Sequence, residues 1–116
     1  FVTGLGTALR GGTEIVQRAM SRAELEAILK SGLLSRGGRQ GPHYVSDAIS
    51  SDGLRARQRL ALGGTPEVRV TMEVPAGVFS PPSKIAPAFN MPGGGMERTS
   101  PGRLDIPAKV RKVLEY

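Results

Sequence analysis

The run Glu67-Val68-Arg69-Val70-Thr71-Met72-Glu73-Val74 alternates polar and apolar residues along its whole length. Successive side chains of a strand point to opposite faces, so Val68, Val70, Met72 and Val74 share one face and need a core to cover it. Other segments supply partners. Glu14 to Met20 is β-branched and partly alternating, which predicts a strand. Ser21-Arg22-Ala23-Glu24 has capping-box spacing, with Ser21 as N-cap and Glu24 at the third helical position. Leu25, Ile28 and Leu29 then recur at helical spacing and Gly32 supplies a stop, predicting a helix from about Arg22 to Lys30. His43 to Ser46 reads as a short strand. Asp52 through Leu62 reads as a second helix closed by Gly63-Gly64, with Ser46 or Asp47 available to cap it. Ile106 to Leu114 restores an imperfect strand pattern. Residues 75 to 104 hold most of the prolines and read as one long excursion, a kind of segment that in compact domains is usually functional or disordered. This order implies an α+β fold with a small, largely antiparallel or split sheet, two short helices and a long Pro/Gly-rich loop. A parallel βαβ arrangement is the runner-up, but the tail lacks the helix it needs.

At 116 residues the chain fits one domain, assigned to residues 14–116, with the glycine-rich residues 1–13 as a linker or junction. The absence of an initiator Met leads us to expect a piece of a longer polypeptide. With only two Tyr and three Phe, the core must be mostly aliphatic. There is no Cys, which excludes disulfides and thiolate metal sites, and a single His, which excludes a His-rich one. No apolar run approaches the roughly 18 residues of a membrane span, so no membrane association is expected. Lys and Arg exceed Asp and Glu by 16 to 10, a net charge of +6. That excess favours an acidic partner (nucleic acid, an anionic cofactor or an acidic protein), and a solvated basic surface accounts for it equally well.

Within the long excursion, Phe89-Asn90-Met91-Pro92-Gly93-Gly94-Gly95-Met96-Glu97-Arg98-Thr99 stands out. Three consecutive glycines suit unusual dihedrals or a close backbone approach, and they deliver one carboxylate, Glu97. A surface loop with an incidental glutamate is the competing reading. There is no P-loop, dinucleotide fingerprint or nucleophile elbow. Three other residues attract notice. Arg18 lies among apolar neighbours in the first predicted strand, where an unpaired charge would be costly; the alternative is a strand edge facing water. His43 follows a flexible loop and serves either a site or the structure. Ser46 ends the second strand and serves either chemistry or helix capping.

These residues also carry a family resemblance. It runs through Arg18-Ala19-Met20-Ser21, Gly37-Gly38-Arg39, Pro42-His43-Tyr44-Val45-Ser46-Asp47, Leu54 to Leu62, Pro66 to Val70 and Phe89 to Thr99. Over about residues 15 to 114 the chain resembles the C-terminal domains of bacterial Rhs-repeat polymorphic toxins of the TreTu ADP-ribosyltransferase type. The resemblance implies an ADP-ribosyltransferase-like split β-sheet core that clamps NAD as substrate. It implies a catalytic set of Arg18, Ser46 and Glu97, with Arg18, His43, Tyr44 and Ser46 binding NAD. Gly95 stands where a paired-acid motif would have a second acid, which leaves the acceptor group open. The implied target is elongation factor Tu, modified in the cytoplasm of a rival bacterium by a secreted effector. A cognate immunity protein, expected to be acidic, would block the cleft. In this reading the triple glycine is a hinge that lets Glu97 settle after NAD enters.

Two other functions compete. A basic, metal-independent ribonuclease toxin would use His43 as general base and the arginines of the second helix on phosphate. A non-catalytic nucleic-acid module is disfavoured by the shortage of aromatic residues for base stacking, and under the transferase reading no stable nucleic-acid complex is expected.

Overall fold

The structure, a computed structural model, describes residues 12–35, 41–101 and 105–116. The expected junction at residues 1–13 falls mostly outside these. In chain order the elements are β1 (Thr13–Met20), α1 (Arg22–Ser31), β2 (His43–Val45), α2 (Gly53–Leu60), β3 (Val68–Pro75), β4 (Ser83–Lys84), β5 (Met96–Ser100) and β6 (Lys109–Glu115). They make a small α+β fold with two antiparallel sheets, ordered β1-β3-β6 and β2-β5-β4.

β3 is the centre of the first sheet, as its alternation requires. Val68, Val70 and Met72 are fully buried and Val74 nearly so, while the residues between them are half-buried. β1 pairs along its full length, from Thr13 opposite Pro75 to Met20 opposite Val68. On the other side β6 pairs with a register shift between Thr71 and Met72. Val16 and Met20 of β1, Ile28 of α1 and Val45 of β2 close the core around the β3 face, with Phe79, Ile106 and Ala108.

The two sheets are joined by a backbone bridge. Gln17 of β1 and Ser46, just past β2, exchange both backbone bonds: Gln17 N–H donates to Ser46 O at 2.7 Å and Ser46 N–H to Gln17 O at 2.9 Å. The Gln17 side chain reinforces the join, donating to Thr71 Oγ1 and accepting from the Ile49 N–H. Arg98 of β5 adds a charged clamp. Its guanidinium bonds both carboxylate oxygens of Glu14 on β1 at 2.8 and 3.1 Å, and Asp47 at 2.9 Å.

α1 starts where the capping box predicts, with Ser21 Oγ accepting the Glu24 N–H, and ends on Gly32 at φ 72°. α2 differs in both caps. Asp52, not Ser46 or Asp47, accepts the Arg55 N–H, and the helix ends on Ala61 at φ 51°, ahead of Gly63-Gly64. The excursion after β3 is also not all loop, since it contains β4 and β5. The last strand begins at Lys109; Ile106 and Ala108 are buried just ahead of it.

Candidate functional site

A cleft of about 1000 Å³ opens where the sheets join, between the C-terminal half of β1, the end of β2, the segment joining α2 to β3, and β5. Arg18, Ser46 and Glu97, from three distant parts of the chain, all line it, as does Tyr44.

Arg18 does not face water. It lies on the same side of β1 as Val16 and Met20 and is 8% exposed. Its guanidinium is held by directed contacts, among them Nη1 donating to Tyr44 O at 2.8 Å and Nη2 to Glu24 Oε2 at 3.0 Å. Glu24, which the spacing offers as a helix cap, thus turns its side chain onto Arg18 instead. A buried guanidinium with a carboxylate partner is tolerable where a lone one is not. Sequence reasoning missed Glu24 as a site residue, because its contact crosses from helix to strand and leaves no local pattern.

Ser46 is 3% exposed, and its Oγ donates to Met96 O at 2.7 Å. It caps no helix. β2 pairs with β5 from His43 opposite Ser100 to Val45 opposite Arg98. Continuing that register by one residue brings Ser46 level with Glu97, and the hydroxyl bond to Met96 fixes the backbone on which the carboxylate sits.

Glu97 is on a strand, not a loop, and its neighbour Arg98 is engaged in the clamp to Glu14 and Asp47. Partial burial pushes the Glu97 carboxyl above its ordinary value. The glycines ahead of it are not a hinge. Gly93 N–H donates to Gln58 O, Gly94 N–H to Ile85 O and Gly95 N–H to Arg59 O, all at 2.9 Å, and Ile85 N–H donates to Gly95 O. A Cβ on Gly93 would lie 2.6 Å from Ile85 O, and one on Gly95 2.8 Å from Arg59 O. Glycine is required here for close approach, with positive φ at Gly93 and Gly94 as well. The segment anchors β5 against the end of α2.

The remaining expected residues divide. Tyr44 is partly exposed in the cleft, whereas His43, its strand neighbour, points the other way, is 5% exposed and does not line the cleft. Phe89 also lines the cleft, from the tip of a tight turn in which Phe89 and Asn90 both take positive φ between paired Ala88 and Met91. Among the described residues Arg18 is the one cation lining the cleft, against Glu24, Glu67 and Glu97.

No family model matches the chain, and neither a curated protein nor a solved structure matches it. Among the described residues, no helix is long and apolar enough to cross a membrane.

Proposed function

We propose that this chain is a mono-ADP-ribosyltransferase toxin domain that splits NAD and transfers ADP-ribose to a protein, with elongation factor Tu of a rival bacterium as the target. The fold would then be the split-sheet fold of those enzymes. The observation that carries this reading is the convergence of Arg18, Ser46 and Glu97 on one cleft large enough for a dinucleotide.

Each residue has a role its setting supports. The Arg18 guanidinium, held by Glu24 and Tyr44 O, supplies the positive end of the cleft for the pyrophosphate through charge-assisted bonds. Ser46 positions the strand that bears Glu97. The ionised Glu97 carboxylate accepts a hydrogen bond from the nicotinamide ribose and stabilises positive charge developing at its anomeric carbon. The carbon–nitrogen bond to nicotinamide breaks, with the electron pair leaving on the ring. The acceptor nucleophile bonds to the anomeric carbon and gives up its proton to water. Tyr44 lines the same space, whereas His43 is buried and does not, which counts against the ribonuclease reading that used it as general base.

The test is release of nicotinamide from NAD. Glu97→Gln should lower the rate by about 100-fold or more while leaving the fold intact. Undiminished turnover by that variant would refute the assignment of Glu97.

A further inference from the structure

A second cavity, of about 420 Å³, adjoins the cleft. Ile49 and Leu60 line both. Ala56 and the half-exposed Met96 complete its apolar wall, and Arg55 and Arg59 stand on its rim. The two arginines are one helical turn apart on α2, so their guanidinium groups rise from the same face. Both are exposed. Arg59 Nη2 reaches Gly94 O at 3.2 Å, and among the described residues the Arg55 guanidinium has no hydrogen bond or ion pair.

We infer that this cavity docks an acidic segment of a protein partner, with an apolar side chain in the cavity and flanking carboxylates on Arg55 and Arg59. Three observations select that occupant. The cationic rim calls for anionic groups, and arginine forks match carboxylates bidentately. The wall is aliphatic and contains no aromatic ring, so it offers nothing for a nucleobase to stack on, whereas it suits a leucine or methionine side chain. The large cleft, with one arginine against three glutamates, does not use the chain's basic excess; the face around α2 does.

The cavity is also continuous with the proposed chemistry. Gly95 and Met96 line it and directly precede Glu97. A protein docked there lies alongside the strand that carries the carboxylate. Resting on the transferase reading, we assign the acidic segment to the acceptor protein, so that docking selects which protein is modified while NAD cleavage proceeds without it.

Two measurements test this and separate its failure from that of the transferase reading. In the first, fluorescence anisotropy follows a fluorescein-labelled peptide of glutamate pairs separated by leucines. It should bind the wild-type domain, weaken at least about tenfold in Arg55→Glu, weaken likewise in Arg59→Glu, and weaken again when its leucines become serines. Failure of the peptide to bind, indifference to Arg55→Glu, or tighter binding of a single-stranded RNA oligonucleotide that the same substitution abolishes would overturn the inference. In the second, Arg55→Glu is assayed with NAD alone and with purified elongation factor Tu. Nicotinamide release without acceptor should be retained and the KM for the acceptor should rise; equal acceptor kinetics in variant and wild type would overturn the acceptor assignment. A wild-type domain inert toward NAD would refute the transferase reading, and the peptide titration would then decide the docking site by itself.

Discussion

Arg18 and Glu24 form a pair whose side chains are each about nine-tenths buried, at 9% and 10% exposure. Removing one partner strands the other in a low-dielectric setting, so Glu24→Ala should cost about 3–5 kcal/mol of stability, read by urea denaturation. A loss within the range of surface substitutions would mean that Arg18 does not depend on it. Glu97 poses the opposite case. Its folded-state pKa is raised above the ordinary 4.5 by desolvation, so the native state holds its proton more tightly than the unfolded chain does. The burden on stability is absent below the unfolded value, appears as pH rises toward the folded value, and is complete above it. Glu97→Gln mimics the neutral acid, so its melting temperature relative to wild type should rise across that window and stay level at higher pH. A variant that grows less stable relative to wild type as pH rises would contradict this. Glu97 stood out in the sequence for its place after three glycines, but its raised proton affinity comes from tertiary burial and has no local signature.

At the level of elements, the glycines ahead of β5 invite a comparison between positions. Gly93→Ala and Gly95→Ala drive a methyl group against backbone carbonyls of Ile85 and Arg59, so each should lower the melting temperature through a cost of about 1–3 kcal/mol. Gly64→Ala meets nothing within 4 Å and needs no left-handed backbone, so it should be neutral or slightly stabilising. Equal effects at the three positions would restore the hinge reading. The elements that were legible in the sequence are those whose own pattern dictates them. β3 alternates cleanly, and α1 carries its cap, its stripe and its glycine stop. β5 was not legible. Met96-Glu97-Arg98-Thr99-Ser100 has no apolar alternation, buries only its last residue, and is a strand because β2 and β4 pair with it on either side. β6 lies at a sheet edge with mostly exposed side chains, so Ile106 and Ala108, buried ahead of it, drew the expected start too early.

For the whole molecule, charge and geometry are divided between two faces. The cleft gathers Arg18, Ser46 and Glu97 at the join of two sheets, while α2 carries the exposed Arg55 and Arg59 beside the smaller cavity. That join depends on Gln17, Ser46 and the Arg98 clamp, none of which a local pattern reveals as partners. The division predicts that binding of an acidic protein weakens with added salt, because exposed charges are screened, while NAD cleavage in the cleft changes far less. Parallel salt titrations of acceptor binding and nicotinamide release would check it, and identical salt dependence would argue against separate faces. The most direct measurement of the central claim remains nicotinamide release by wild type and by Glu97→Gln, with circular dichroism confirming that both are folded. Cleavage of NAD by wild type and a loss of about 100-fold or more in the variant is the predicted result; wild type inert toward NAD, or a folded Glu97→Gln variant as active as wild type, would contradict it.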